Sequence, residues 1–453
     1  MKDCQPLRIF SFLKYIQPVW YFNLKPHSDL PYWVDYRLLS AHEKSLISYD
    51  SGYKTEEASL RDAAYQAWHK GIISFDPSKR LVFESGITRI DEYRFTKKYF
   101  HSIWGVYVLL LRLITFHNPV LELMAFLKVS SVHRINLYET INDRIEYEKS
   151  KSGLIKSKPL VSIVIPTLNR YKYLKDVLID LENQDYHNFE VIIIDQTDNF
   201  QQEFYKDWRL NMSVMHQEEK ALWMARNRAI AKANGEFILL YDDDSRVNPD
   251  WISEHLKCID YFDADYSAGV SLSVIGSKVP VNYSFFRWTD QIDTGNVMIR
   301  KEVFRKIGLF DRQFEKQRMG DGEFGLRAYL AGFQGISNPK AKRIHLKVAT
   351  GGLRQMGSWD GFRPTNWFAP RPIPSVLYFT RIYFGNSTAI LNLLIKVPSS
   401  VVPLAYKRKP LLLLLGYIFS FCIFPLVFYQ VLQSWKNSSQ MIIKGPMIDF
   451  LEA

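Results

Sequence analysis

The chain has 453 residues, enough for two or three domains rather than one. Its formal net charge of +11 is spread over short clusters at 300–306, 340–347 and 407–409, with no zinc-finger spacing or other nucleic-acid motif, so a membrane surface or an anionic substrate fits the charge and nucleic acid does not. Three scattered cysteines, Cys4, Cys258 and Cys422, exclude a disulfide framework and a cysteine metal pair.

In chain order, residues 1–158 form a mixed N-terminal region of unassigned role. The stretch 9–22 is broken by Lys14, Gln17 and Pro18 and does not read as a signal peptide. Segments 63–68 and 109–127 are predicted helical. Residues 103–114 are strongly apolar, but Arg112 and His117 interrupt the run, so a buried or interfacial helix is expected rather than a membrane span. The charged stretch 146–158 reads as a linker.

Residues 159–350 alternate strands and helices. Residues 161–165 are a β-branched apolar run, hence a buried strand. A helix is predicted over 171–184, with Leu174, Val177, Leu178 and Leu181 at helical spacing and Asn169 as its cap. A second strand is predicted over 191–194, and a helix over 221–234 with Gly235 at its C-terminal cap. A third strand over 237–240 and a helix opening at Pro249 continue the pattern. Such alternation implies an α/β fold with a mainly parallel sheet, whose ligands lie beyond the C-terminal strand ends.

Residues 351–453 are rich in Gly, Pro and Trp at first, then apolar. Residues 411–432 carry no charge and are long enough to span a membrane, with Lys407, Arg408, Lys409 and Lys436 flanking them; a buried or interfacial helical hairpin is the alternative.

The strongest chemical signal is the triplet Asp242-Asp243-Asp244 at the end of the third strand. Adjacent carboxylates repel, and a hard divalent cation, Mg²⁺ or Mn²⁺, would compensate them and also bind phosphate oxygens. Pro166, Thr167 and Asn169 end the first strand, where small polar groups can meet a nucleotide. Asp195 ends the second and can accept from a base or ribose.

Taken together, VSIVIPTLNR (161–170), VIIID (191–195), ARNR (225–228), the Asp triplet, TGNVMIRK (294–301), IGLFD (307–311) and GDGEFGLR (320–327) resemble the family-2 inverting glycosyltransferases over about 159–347. The resemblance implies a GT-A fold, the Rossmann-like fold of nucleotide-diphospho-sugar transferases. Position by position, it implies donor binding by Pro166, Thr167, Asn169, Asp195, Arg226, Asp242 and Asp243. Asp244, Asp242 and His345 would hold the divalent cation, and Asp321 would be the general base. Glu323 and Trp359 fall on the acceptor side, and Trp367 is a further candidate for stacking on an acceptor sugar. Two departures stand out. Gly320 replaces the family's acidic residue before the base. QMGSW (355–359) has Ser358 where processive synthases carry arginine, which argues against a polymerase.

The implied chemistry is a single displacement with inversion. The implied partners are a nucleotide-diphosphate sugar donor and a glycan or lipid-linked acceptor, at the cytoplasmic face of the membrane, with attachment through the C-terminal apolar region. Two other classes compete. A sugar-phosphate nucleotidyltransferase needs a Gly-rich basic loop after the first strand, and residues 166–170 are not one. A catalytically decayed membrane scaffold would not bind metal.

Overall fold

The computed structural model describes residues 4–452, apart from 85, 274–278, 349–360, 365, 404–405 and 408. Contacts divide the chain into two units: residues 2–145 with 284–288, and residues 146–283 with 289–453.

The N-terminal unit is helical. Helix α1 (Glu56–His69) is capped by Thr55, whose side chain accepts from the Ala58 N–H, and is buried from Ala58 to Trp68. Helix α2 (Arg89–Tyr99) starts on a reciprocal Thr88/Asp91 capping box. Between them lies Asp62, fully buried, which is satisfied by Lys98 Nζ at 2.7 Å and by the hydroxyls of Tyr53 and Tyr99 at 2.8 and 2.6 Å. The helix expected over 109–127 is two, α3 (Ser102–Ile114) and α4 (Pro119–Lys128). Asn118 accepts from Val120 and Leu121 N–H and Pro119 takes the first helical position, so this pair restarts the helix.

The second unit is built on one sheet. Strands β1 (Val161–Thr167), β2 (Phe189–Asp195), β3 (Met212–His216) and β4 (Phe237–Tyr241) pair in parallel in the order β3-β2-β1-β4. Beyond them lie β5 (Ser245–Val247), β6 (Tyr266–Ser273), β7 (Asn296–Arg300) and β8 (Gly335–His345). The sheet continues from β4 through β7, β6 and β8 to β5, with the β4/β7, β7/β6 and β8/β5 pairs antiparallel. Helices α5 (Tyr171–Glu182), α6 (Leu222–Lys232) and α7 (Trp251–Tyr261) join the strands. Every residue of β1 and β4 is buried, as expected for strands covered on both faces. Each such Val, Ile or Leu contributes about 1.5–3 kcal/mol by leaving water.

Four expectations are corrected. Asn169 does not cap α5: it lies in the left-handed region at φ 55°, its N–H donates to Thr197 Oγ1 at 2.9 Å, and Arg170 holds the cap position. Ala233 rather than Gly235 ends α6. Gly235 instead lies against β1, where a Cβ would stand 2.7 Å from Leu160 O. Residues 146–158 are docked rather than a linker: the Tyr147 hydroxyl donates to Glu254 at 2.8 Å and the Gly153 N–H to Asp260 at 2.6 Å, both acceptors on α7.

The fourth correction concerns the apolar C-terminus. Helices α8 (Lys301–Ile307) and α9 (Gly320–Leu330) lie between β7 and β8 in the chain, and α10 (Pro374–Lys396) follows with a kink at Gly385. Residues 411–432 do not form one straight helix. They divide between α11 (Pro410–Cys422) and α12 (Phe424–Lys444), bent by 82° at Ile423. Pro425 starts the second helix, because its missing N–H costs nothing in a first turn. Among the described residues, no single helix is long and apolar enough to cross a membrane, though this bent pair meets the length and composition together.

Candidate active site

Parallel pairing of β4 with β1 brings the Asp triplet level with the strand end that carries Pro166 and Thr167. There a cleft of about 260 Å³ opens. Its lining draws on six stretches: Pro166, Leu168 and Arg170 at the end of β1, Trp223 and Arg226 on α6, the Asp triplet, residues 291–294, the segment 316–321, and Arg343 with His345.

Three arginines balance the triplet. Arg170 Nη1 lies 2.9 Å from Asp243 and 3.2 Å from Asp244. Arg226 Nη2 lies 2.8 Å from Asp242 Oδ1, and Arg343 Nη1 2.7 Å from Asp242 Oδ2. Arg343 also reaches Asp293 at 2.8 Å and is itself 1% exposed. The carboxylates respond differently. Burial alone would raise Asp242, but Arg343 and Arg226 outweigh it and hold that group well below the usual carboxylate range. Burial lifts Asp243 to about 6, with Asp244 adding to the rise against the pull of Arg170. The compensation expected of a cation is therefore supplied in part by side chains.

One face of the triplet still fits a metal ion. Ligand atoms of Asp242, Asp244 and His345 lie within 4.8 Å of one another. His345 arrives because β5 and β8 pair Ser245 with His345, and its Nε2 sits 3.3 Å from Asp244 Oδ1. Two carboxylate oxygens and an imidazole nitrogen suit Mn²⁺ better than Mg²⁺ by ligand type, since Mg²⁺ favours an all-oxygen shell.

Asp321 opens α9 and lines the same cleft. Burial raises its pKa, Asp293 adds to the rise, and the Gly322 N–H (2.8 Å from Oδ1) and Arg226 oppose it. The glycine before it has a steric cause: a Cβ at Gly320 would stand 2.4 Å from the Trp223 indole. Trp223 is fixed in turn by its Nε1 donating to Phe314 O at 3.1 Å. Gly295 is needed for close approach as well, because a Cβ there would lie 1.8 Å from Arg343 Nη1 and 2.2 Å from Asp242 Oδ2.

The remaining expected site residues divide. Pro166, Arg226, Asp242, Asp243, Asp244, Asp321 and His345 line the cleft. Thr167 is buried beneath it and donates to Asp243 Oδ2 at 2.8 Å. Three others are not among the residues that line it. Asn169 is absent from the lining. Asp195 is fully buried, with Oδ2 accepting from Tyr171 and Tyr205 at 2.6 and 2.8 Å and Oδ1 from the Thr197 N–H at 2.9 Å, so it holds those aromatic side chains in place. Glu323 is 1% exposed and is bound to Arg327 at 2.9 Å and to the Tyr383 hydroxyl at 2.6 Å. Trp359 and the 355–359 motif lie outside the described residues. Trp367 is 60% exposed.

Arg170, Trp223, Asp293 and Arg343 were not singled out from sequence. Only Arg343 left a signal: it lies two residues from His345 on one strand, hence on the same face.

Residues 162–321 match the profile of glycosyl transferase family 2. The chain carries a family-2 glycosyltransferase domain. Its parallel sheet extended by mixed strands is the GT-A fold. Relatives include the putative glycosyltransferase EpsH of Bacillus subtilis, 34% identical over 105 residues (22% of this chain and 30% of that one). Another is the poly(ribitol-phosphate) beta-N-acetylglucosaminyltransferase TarS of Staphylococcus aureus, 29% identical over 126 residues (26% and 22%). The crystal structure of S. aureus TarS 1–349 in complex with UDP-GlcNAc aligns at 20% identity with a TM-score of 0.42, over 63% of this chain and 92% of that one. The glycosyltransferase domain thus spans under a third of the length of these two curated relatives.

Proposed function

We propose that this domain moves a sugar from a nucleotide-diphosphate donor to a hydroxyl of a glycan or lipid-linked acceptor, with inversion, in cell-surface polysaccharide synthesis. The observation that carries this reading is the convergence of Asp242, Asp244, His345 and Asp321 on one arginine-lined cleft. The names of the relatives, which include an enzyme acting on poly(ribitol-phosphate), support an extended glycan or glycan-like acceptor.

In the proposed reaction the acceptor oxygen attacks the anomeric carbon. The bond from that carbon to the diphosphate oxygen breaks, and the electron pair leaves with the nucleoside diphosphate. Asp321 takes the acceptor proton on a carboxylate oxygen, a task suited to a carboxylate with a raised pKa. Arg170 and Arg226 line the cleft as N–H donors for the diphosphate. The buried Arg226 Nε lacks a hydrogen-bond partner among the described residues, and a ligand oxygen would satisfy it. Asp242, Asp244 and His345 would hold the divalent cation, which supplies positive charge to the departing diphosphate. Its location is proposed as the cytoplasmic face of the membrane. The bent apolar pair α11/α12 and the flanking Lys407, Lys409 and Lys436 support that placement.

The arginine pairs favour a second reading, a donor site that works without metal. Thermal unfolding of the purified chain with a panel of nucleotide sugars, in Mn²⁺ and in EDTA, separates the two. A nucleotide-dependent rise in Tm only with Mn²⁺ supports the metal site. An equal rise in EDTA supports the arginine site. No rise with any nucleotide, in folded protein, defeats donor binding and returns the scaffold reading.

A further inference from the structure

Helices α3 and α4 of the N-terminal unit bury an ion pair beside Val108, Leu109 and Ala125 and turn an apolar face outward. Their inward side carries charge: Arg112 binds Glu122 through two bonds of 2.7 Å, and the Tyr93 hydroxyl donates to the same carboxylate at 2.9 Å. Arg112 is 7% exposed and Glu122 fully buried. Their outward side is apolar. Ile103, Val106, Leu110 and Ile114 recur at steps of three and four along α3 and are all exposed. Leu123, Met124 and Leu127 do the same on α4. At the turn between them Phe116 is 97% exposed and sits at φ 60°, the left-handed region that a phenylalanine seldom adopts. A water-facing surface of this kind is unusual; contiguous exposed apolar patches mark an interaction site.

Length and charge identify the occupant. Helix α3 has 13 residues and α4 has 10, or about 20 and 15 Å, too short for a hydrocarbon core of about 30 Å. The hairpin can therefore lie in one leaflet but not cross. Residues 97–134 carry five Lys and Arg against the single acidic Glu122, and that acid is buried under Arg112. Exposed Lys128 and Arg134 follow the apolar face, where anionic headgroups would meet them. A partner protein would need a matching apolar groove and acidic rim, whereas a bilayer with anionic lipid offers both as a continuous surface.

We propose that the α3/α4 hairpin inserts its apolar face, with Phe116 at the tip, into the interfacial layer of an anionic lipid membrane. This is a membrane contact of the N-terminal unit itself. It rests neither on α11/α12 nor on the sugar-transfer reading.

The test uses the full chain with Cys4→Ser and Cys422→Ser, leaving the buried Cys258 in place, and with Phe116→Cys labelled by an environment-sensitive fluorophore. Phosphatidylglycerol-containing vesicles should shift the emission to the blue. Neutral phosphatidylcholine vesicles should need about thirtyfold more lipid for the same shift, given the two exposed cations. Ile114→Asp with Leu127→Asp, both at exposed positions, should abolish the shift while leaving the circular dichroism unchanged. Sedimentation of the chain with vesicles without a change at position 116 would overturn the proposal. So would a shift that grows with protein concentration in the absence of lipid, which would assign the face to a second copy of the chain.

Discussion

Replacing Arg343 by methionine removes one charge from a place where two carboxylates depend on it. The guanidinium is 1% exposed and makes bonds of 2.7 Å to Asp242, 2.8 Å to Asp293, 3.1 Å to Ser245 and 2.9 Å to Ser271. Asp242 keeps Arg226 in the variant, so Asp293 loses more. Breaking a buried ion pair costs about 3–5 kcal/mol. Here the side chains of Asp242 and Asp293 are 21% and 36% exposed, so water screens them and the lower end, about 3 kcal/mol, is expected. Arg343 holds Asp293 below its ordinary pKa, against burial. That stabilisation is present above the unfolded carboxylate pKa and is lost as pH falls. The gap between wild type and Arg343→Met should therefore narrow as urea unfolding is moved from neutral pH toward the carboxylate range. Adding Asp293→Asn should restore part of the loss, since the stranded charge is gone. An Arg343→Met protein within about 1 kcal/mol of wild type in urea unfolding, or a double variant no better than the single, would refute the reasoning.

Gly295→Ala should displace Arg343 and Asp242 by forcing a Cβ to 1.8 and 2.2 Å from them, costing about 1–3 kcal/mol and weakening donor binding measured by calorimetry. His255 is fully buried between Ser267 Oγ at 2.9 Å and Asn296 Oδ1 at 3.1 Å, and burial depresses its pKa to about 4. Below the unfolded value the unfolded chain binds a proton that the folded chain refuses. Stability should thus fall by about 1.4 kcal/mol per pH unit between 6.5 and about 4, a slope that His255→Gln should flatten in acid unfolding. Asp244→Ala removes one of three grouped ligand atoms and should abolish Mn²⁺-dependent protection by nucleotide sugar while leaving the melting temperature of the free chain within a few degrees.

Much of the α/β core was legible because its signals are local. The β-branched runs of β1 and β2 and the acidic triplet after β4 declare themselves within a few residues. The arginine frame did not, since Arg343 meets Asp242 across 101 positions and nothing near either residue announces the pair. Asn169 looked like a cap by residue type, but its turn needs a positive φ that asparagine tolerates, a second use of the same side chain. Glu323 had its answer in sequence: Arg327 lies four residues on, at helical spacing, and binds it. The uncharged run 411–432 read as one span because composition is blind to direction, whereas Pro425 permits a new helix to start at an angle.

The central claim, that Asp321 is the base of a donor-binding cleft, is tested most directly by Asp321→Asn. The side chain keeps its shape and loses its capacity to accept a proton. Nucleotide-sugar binding, followed by calorimetry, should be unchanged within a few fold, while sugar transfer to an acceptor glycan should fall by about 10²–10⁴-fold. Transfer at the wild-type rate, or loss of donor binding together with transfer, would contradict the account.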